Sequence, residues 1–155
     1  MTDRLQRLDR IWVRHPIYFI TAVTAERRPL LAQTAVHATI EQFALGGPAR
    51  GAWLGGYVLM PDHLHAFVAL DDRLLTLSSW MKSLKNTVSK TLRAAGIAAP
   101  HWQKGFFDHL LRSTESYAEK WAYVRENPVR AGLVACAEDW PHAGESFPLE
   151  LRNER

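Results

Sequence analysis

Cysteine is nearly missing from this chain. Cys136 is the one thiol in 155 residues, which excludes an internal disulfide, a CxxC redox pair and a thiolate zinc cage. A chain so poor in cysteine suits a reducing compartment, and the cytoplasm is the expected setting. Long apolar runs are missing too: none approaches the roughly 18 consecutive residues of a membrane span. Met1-Thr2-Asp3-Arg4 leads into no apolar stretch of the kind that secretory signals carry. Low-complexity tracts, internal repeats and Ser/Gly linkers are also lacking, so residues 1–155 read as a single domain. Acid is absent from residues 73–104, which hold Arg73, Lys82, Lys85, Lys90, Arg93 and Lys104.

Hydrophobic residues make up 47% of the chain and include six Trp, enough for a sizeable core and far from a disordered composition. The six cations of residues 73–104 exceed the formal net charge of +3, so the remainder is net negative. Positive charge concentrated in this way suits a polyanionic partner such as a nucleic acid, or else an ordinary solvated helix face.

A β-branched and aromatic stretch predicts a strand at 16–24, two apolar runs predict strands at 53–60 and 63–70 joined by a tight hairpin at Pro61-Asp62, and a short strand is expected at 105–112. Period-3.6 stripes predict helices at 34–45, 75–95 and 115–126. These stop at Gly46-Gly47-Pro48, at Gly96 and before Pro128 respectively. Residues beyond about 135 read as an irregular tail. This order predicts an α+β fold of the ferredoxin-like or RRM-like kind, a four-stranded antiparallel sheet with helices on one face.

Two features carry chemistry. His63 and His65 stand at i and i+2 of a predicted strand, so both rings project from one face and could share a divalent cation. Alone, an HxH pair is a weak motif, and solvated or packed histidines are the ordinary alternative. In the third helix, Tyr117, Trp121 and Val124 make the packing stripe, whereas Tyr123 shares the polar face with Ser116 and Lys120, one turn before Asn127. A phenol placed there could act as a nucleophile toward a phosphate made electrophilic by a metal ion, or be a plain surface tyrosine. Tyr117 is the fallback nucleophile, although its apolar-face position argues for packing. Lys82, Asn86, Ser89 and Arg93 are expected on the polar face of the second helix, and Trp102, Phe106 and Phe107 could stack on unpaired bases or pack in the core.

Taken together, the stretches Tyr57 to Val68, Trp102-Gln103-Lys104-Gly105-Phe106-Phe107-Asp108-His109 leading to Arg112, and Tyr123 to Val134 resemble the REP-associated tyrosine transposases of the HUH single-strand endonuclease superfamily. With Tyr18-Phe19-Ile20-Thr21 and Met81-Lys82-Ser83-Leu84-Lys85, the likeness spans about residues 10–145. It implies a transposase that cleaves and rejoins single-stranded or hairpin DNA through a 5′-phosphotyrosine intermediate, with Tyr123 as nucleophile. It further implies a hard ion, Mg²⁺ or Mn²⁺, on His63 and His65, with Asn127 in the place of a third ligand. Lys82, Lys85, Arg93, Lys104 and Arg112 would contact nucleic acid, no membrane is involved, and the protein would act as a monomer or homodimer. Two other classes stay open. One is a catalytically silent DNA-hairpin-binding module or repressor. The other is an unrelated metal hydrolase that adds Asp62 or His109 to the histidine pair.

Overall fold

The computed structural model describes residues 11–13, 15–112 and 115–151, so the N-terminal residues read for a leader lie outside it. The β-branched and aromatic runs form strands β1 (Ile11–Val13), β2 (Ile17–Val23), β3 (Ala52–Leu59), β4 (His63–Leu70) and β5 (Phe107–Leu110). The two long stripes form helices α1 (Thr34–Leu45) and α2 (Leu77–Ala94). Two short helices follow, α3 (Tyr117–Arg125) and α4 (Asn127–Arg130), then strands β6 (Ala143–Glu145) and β7 (Leu149–Leu151). No described helix is long and apolar enough to cross a membrane.

The main sheet is antiparallel in the order β5-β2-β4-β3-β6, and β1 pairs with β7 in a separate parallel ribbon. The expected α+β architecture is present, with five strands in the sheet instead of four. The fifth comes from the segment expected to be an irregular tail. β6 docks on the free edge of β3, and Trp140 Nε1 donates to the Leu59 carbonyl at 3.1 Å. Strands of three residues have no readable period, and these form because an open edge offers them partners.

Alternation along β4 sorts its side chains. Leu64, Ala66, Val68 and Leu70 face α1 and α2, where they meet Val36, Ile40, Trp80, Met81, Leu84, Val88 and Leu92 in the larger core. Burying each of the large aliphatic side chains is worth about 2 kcal/mol. α2 starts where Thr76 Oγ1 accepts from the Ser79 N–H at 3.1 Å and is followed by Gly96 at φ +81°. Ser89, expected on the exposed face of α2, is instead buried, because its hydroxyl bonds the buried His101 at Nδ1, 3.0 Å away.

The other face of β4 carries His63, His65, Phe67 and Ala69. The two long helices cover one face as expected, and α3 packs across this opposite one. There Tyr117, Trp121 and Val124 meet Val58 and Phe67 in a second core. His63 and His65, singled out in the sequence, lie at the margin of this second layer.

Candidate active site

The β2–β4 register sets the histidine pair. Thr21 lies directly opposite His65, and Val23 opposite His63, so both imidazoles stand on the α3 side with ring centroids 4.9 Å apart. Each Nδ1 is committed. His63 Nδ1 donates to Asp62 Oδ1 at 2.7 Å, and His65 Nδ1 bonds Thr21 Oγ1 at 2.8 Å. Asp62 is itself held by Arg27 Nη1 at 3.1 Å. Burial alone would raise the Asp62 carboxyl, yet the hydrogen bonds from His63 and Arg27 hold it below the usual carboxylate range. Oriented Nδ1 atoms are what a metal-ligating imidazole needs, since they turn Nε2 toward the ion and fix the tautomer. Among the described residues neither Nε2 has a partner.

His65 is strongly disposed to stay neutral. Burial, then the positive charges of His63 and Arg130, push its pKa down to about 4. A neutral ring keeps the lone pair that a cation requires. The donor set therefore suits a divalent ion, with two imidazole nitrogens and the Asn127 carboxamide oxygen as its candidates. Among the described residues, no cluster of three or more His, Cys, Asp or Glu forms a metal cage.

Two glycines position α3. The β3–β4 register shifts between Leu54 and Tyr57, and Gly55 and Gly56 fill the irregularity. Trp121 lies on Gly56 so closely that a Cβ there would sit 2.3 to 2.6 Å from the indole. The Tyr117 hydroxyl accepts from Gly56 N–H at 2.8 Å and donates to Glu145 Oε2 at 2.6 Å. Burial, then the hydrogen bond to Glu145 and its charge, drive the Tyr117 phenol far above its ordinary range. The fallback nucleophile is thus a structural anchor. Tyr117→Phe should cost about 1–3 kcal/mol, because a buried N–H loses its acceptor. Urea unfolding measures this, and unchanged stability would mean that the bond does not anchor the helix.

With α3 so fixed, its other side opens onto a groove of about 450 Å³ lined by Phe19, His65, His109, Lys120, Tyr123 and Asn127, among others. Tyr123 is 67% exposed there, and the Arg130 guanidinium lies 4.0 Å from the centre of its ring. Arg130 Nη2 also donates to Asn127 Oδ1. His109 and Lys120, on opposite walls, are tied together through Glu115, which accepts from both. Lys120, the Arg112 backbone N–H and His109 together hold the Glu115 carboxyl well below the usual range against its desolvation.

The structure thus gathers His65, Tyr123 and Asn127 around one groove, with His63 beside His65. It does not gather the expected DNA-contacting cations there. Lys82 and Arg93 are exposed on α2, on the far side of the sheet. Lys85 is occupied: its ammonium donates to the Gln103 and Gly105 carbonyls beside the Trp102 ring, and burial lowers its pKa. Lys85 thereby fastens the loop that leads into β5, a task that a helical repeat cannot reveal. Lys104 and Arg112 are exposed at either end of β5, the strand that carries His109. Asp62 backs His63 as a hydrogen-bond acceptor. Phe107 is 71% exposed, and its pairing with Thr21 puts it on the histidine side. Phe106 and Trp102 pack against the larger core. Thr21 and Arg130 lie inside the motif stretches but have no role assigned to them there, and the Gly55-Gly56 pair lies just before the first of the three main stretches.

No family model matches the chain. Individual proteins do. A REP-associated tyrosine transposase of Escherichia coli K12 is 25% identical over 132 residues, covering 85% of this chain and 78% of that protein. A Haemophilus influenzae sequence named for the same group is also 25% identical, covering 94% of this chain and 87% of its own. Among solved structures, a REP-associated tyrosine transposase bound to a REP hairpin superposes with a TM-score of 0.67 at 25% identity, over 86% of this chain and 79% of that one. The likeness first visible in the histidine, β5 and tyrosine motifs therefore extends over most of the chain, and in both sequence and fold this protein is a relative of the REP-associated tyrosine transposases.

Proposed function

We propose that the protein is a transposase-type enzyme that cuts and rejoins single-stranded or hairpin DNA, with Tyr123 as nucleophile. The observation that carries this reading is the sharing of one open groove by an exposed phenol and a neutral, oriented imidazole, Tyr123 and His65. The relatives add the substrate class, since one of them was solved on a REP hairpin.

His63, His65 and Asn127 would hold Mg²⁺ or Mn²⁺. Bound there, such an ion would draw electron density from the scissile phosphate and offset charge as it develops. Everything else falls to the chain. Thr21 and Asp62 keep the two imidazoles turned outward, and α3 presents the Tyr123 oxygen to the groove. The Oη–P bond forms as the P–O3′ bond breaks. The phenolic proton leaves to solvent, and the departing 3′ oxygen takes one up. The product is a 5′-phosphotyrosine link and a free 3′-hydroxyl, and reversal rejoins the strand without an external energy source.

The test is a 3′-labelled hairpin oligonucleotide incubated with the protein and Mn²⁺ or Mg²⁺. A protein-bound label that survives denaturation is expected, absent with a chelator. His65→Ala should reduce it by about 10²-fold or more and weaken Mn²⁺ binding, as loss of a ligand does. Hairpin binding that falls steeply with salt, with no adduct under either metal, would favour the silent binding module instead.

A further inference from the structure

Arg130 has no part in the chemistry described so far, yet it touches two of the groove's functional groups at once. It sits one turn beyond α3, on α4, and its guanidinium lies over the Tyr123 ring at 4.0 Å while Nη2 donates to Asn127 Oδ1. The two contacts constrain different things. Stacking restricts the phenol ring to one plane, and the in-plane hydrogen bond fixes the rotation of the guanidinium on that ring. An amide oxygen has two lone pairs, so Asn127 can accept from Arg130 and still offer one to a cation. A guanidinium has five N–H donors, of which one side-chain bond is used among the described residues. The rest form a planar fork matched to two oxygens of one phosphate.

We propose that Arg130 is a positioning residue for Tyr123 and the clamp on the scissile phosphate, engaging two non-bridging oxygens while the phenol below it attacks phosphorus. This rests on the function proposed above and adds to it a residue and a substrate contact. No bond to Arg130 is made or broken covalently. It aligns the nucleophile and offsets charge on the phosphoryl oxygens, and both effects are larger in the transition state than in the bound ground state.

Arg130→Ala, Arg130→Lys and Arg130→Gln are compared for adduct formation in a single turnover with the labelled hairpin and Mn²⁺. Hairpin affinity is measured separately for each change in a Tyr123→Phe background. The alanine variant should form adduct on the order of a hundredfold more slowly, with affinity reduced only about threefold, since one phosphate contact among several is lost. Lysine, a charge without the fork, should restore part of the rate, and glutamine none. Added guanidinium ion should speed the alanine variant and leave the wild type unchanged. A residue that merely supports the fold would lower the melting temperature and could not be rescued by a small ion, and that result would overturn the proposal. So would adduct formation at the wild-type rate in Arg130→Ala. If the wild type itself forms no adduct under any metal, the parent function falls and the clamp with it. An active wild type with an indifferent Arg130 removes the clamp alone.

Discussion

Tyr123→Phe should leave no measurable covalent protein–DNA species, a loss of at least about 10³-fold, because the phenyl ring keeps every contact of the phenol except the attacking oxygen. The substitution is unusually clean at this position. Tyr123 is 67% exposed, and among the described residues its hydroxyl has no hydrogen-bond partner, so little folding energy depends on it. The ring remains beneath Arg130, and α3 keeps its three packing residues. Melting temperature should therefore stay within about 1 °C of wild type, as expected for a surface change away from structural contacts, and hairpin affinity should stay within about twofold. Persistence of the adduct at wild-type yield would place the nucleophile elsewhere. Tyr117 could not take over, since its hydroxyl is buried between Gly56 and Glu145. Loss of adduct together with a collapse in stability would mean that Tyr123 is structural and that the open groove misrepresents its role.

The legible parts of this molecule are those set by neighbours along the chain. The apolar spacing of Val36, Ile40 and Ala44 and the Gly46 stop give α1 its observed bounds. Alternation puts His63 and His65 on one face, and helical spacing separates Tyr123 from the Tyr117–Trp121–Val124 stripe. The illegible parts depend on register between distant segments. Thr21 backs His65 because β2 and β4 pair across a separation of 44 residues, and no local pattern carries that number. Which face of the sheet α3 would take was equally hidden, because it follows from the docking of Trp121 on a glycine far upstream. Lys85 shows the same limit from the other direction. In the sequence it is only one cation of a basic helix, but its partners are carbonyls of a loop 18 and 20 residues away, so a cation read as free for DNA is already engaged.

Gly56 links that hidden geometry to function. Its φ lies outside the left-handed region, so alanine meets no backbone obstacle. The obstacle is the Trp121 ring, with three atoms 2.3 to 2.6 Å from the position of the new methyl group. Neither β3, held between β4 and β6, nor an indole lodged beside Phe67 can yield that distance by a small shift. Overpacking of this kind costs about 1–3 kcal/mol, and the upper end applies where a rigid aromatic must move. At about 2–4 °C per kcal/mol for a chain of this size, Gly56→Ala should lower the melting temperature by roughly 6–12 °C. The functional loss should be larger than the stability loss implies. Displacing Trp121 tilts α3, and a shift of about 1 Å at the nucleophile can cost on the order of 10²-fold in rate. Adduct formation should therefore fall by about that factor even at temperatures where the variant is folded. Trp121→Ala provides the internal control. It removes the colliding ring, so Gly56→Ala added to it should be nearly neutral, and the thermodynamic cycle should return a coupling of about 3 kcal/mol between the two positions. Additive effects, or a Gly56→Ala protein with native stability and native adduct yield, would show that α3 is not held by the indole on the glycine, and the position of Tyr123 would then need another anchor.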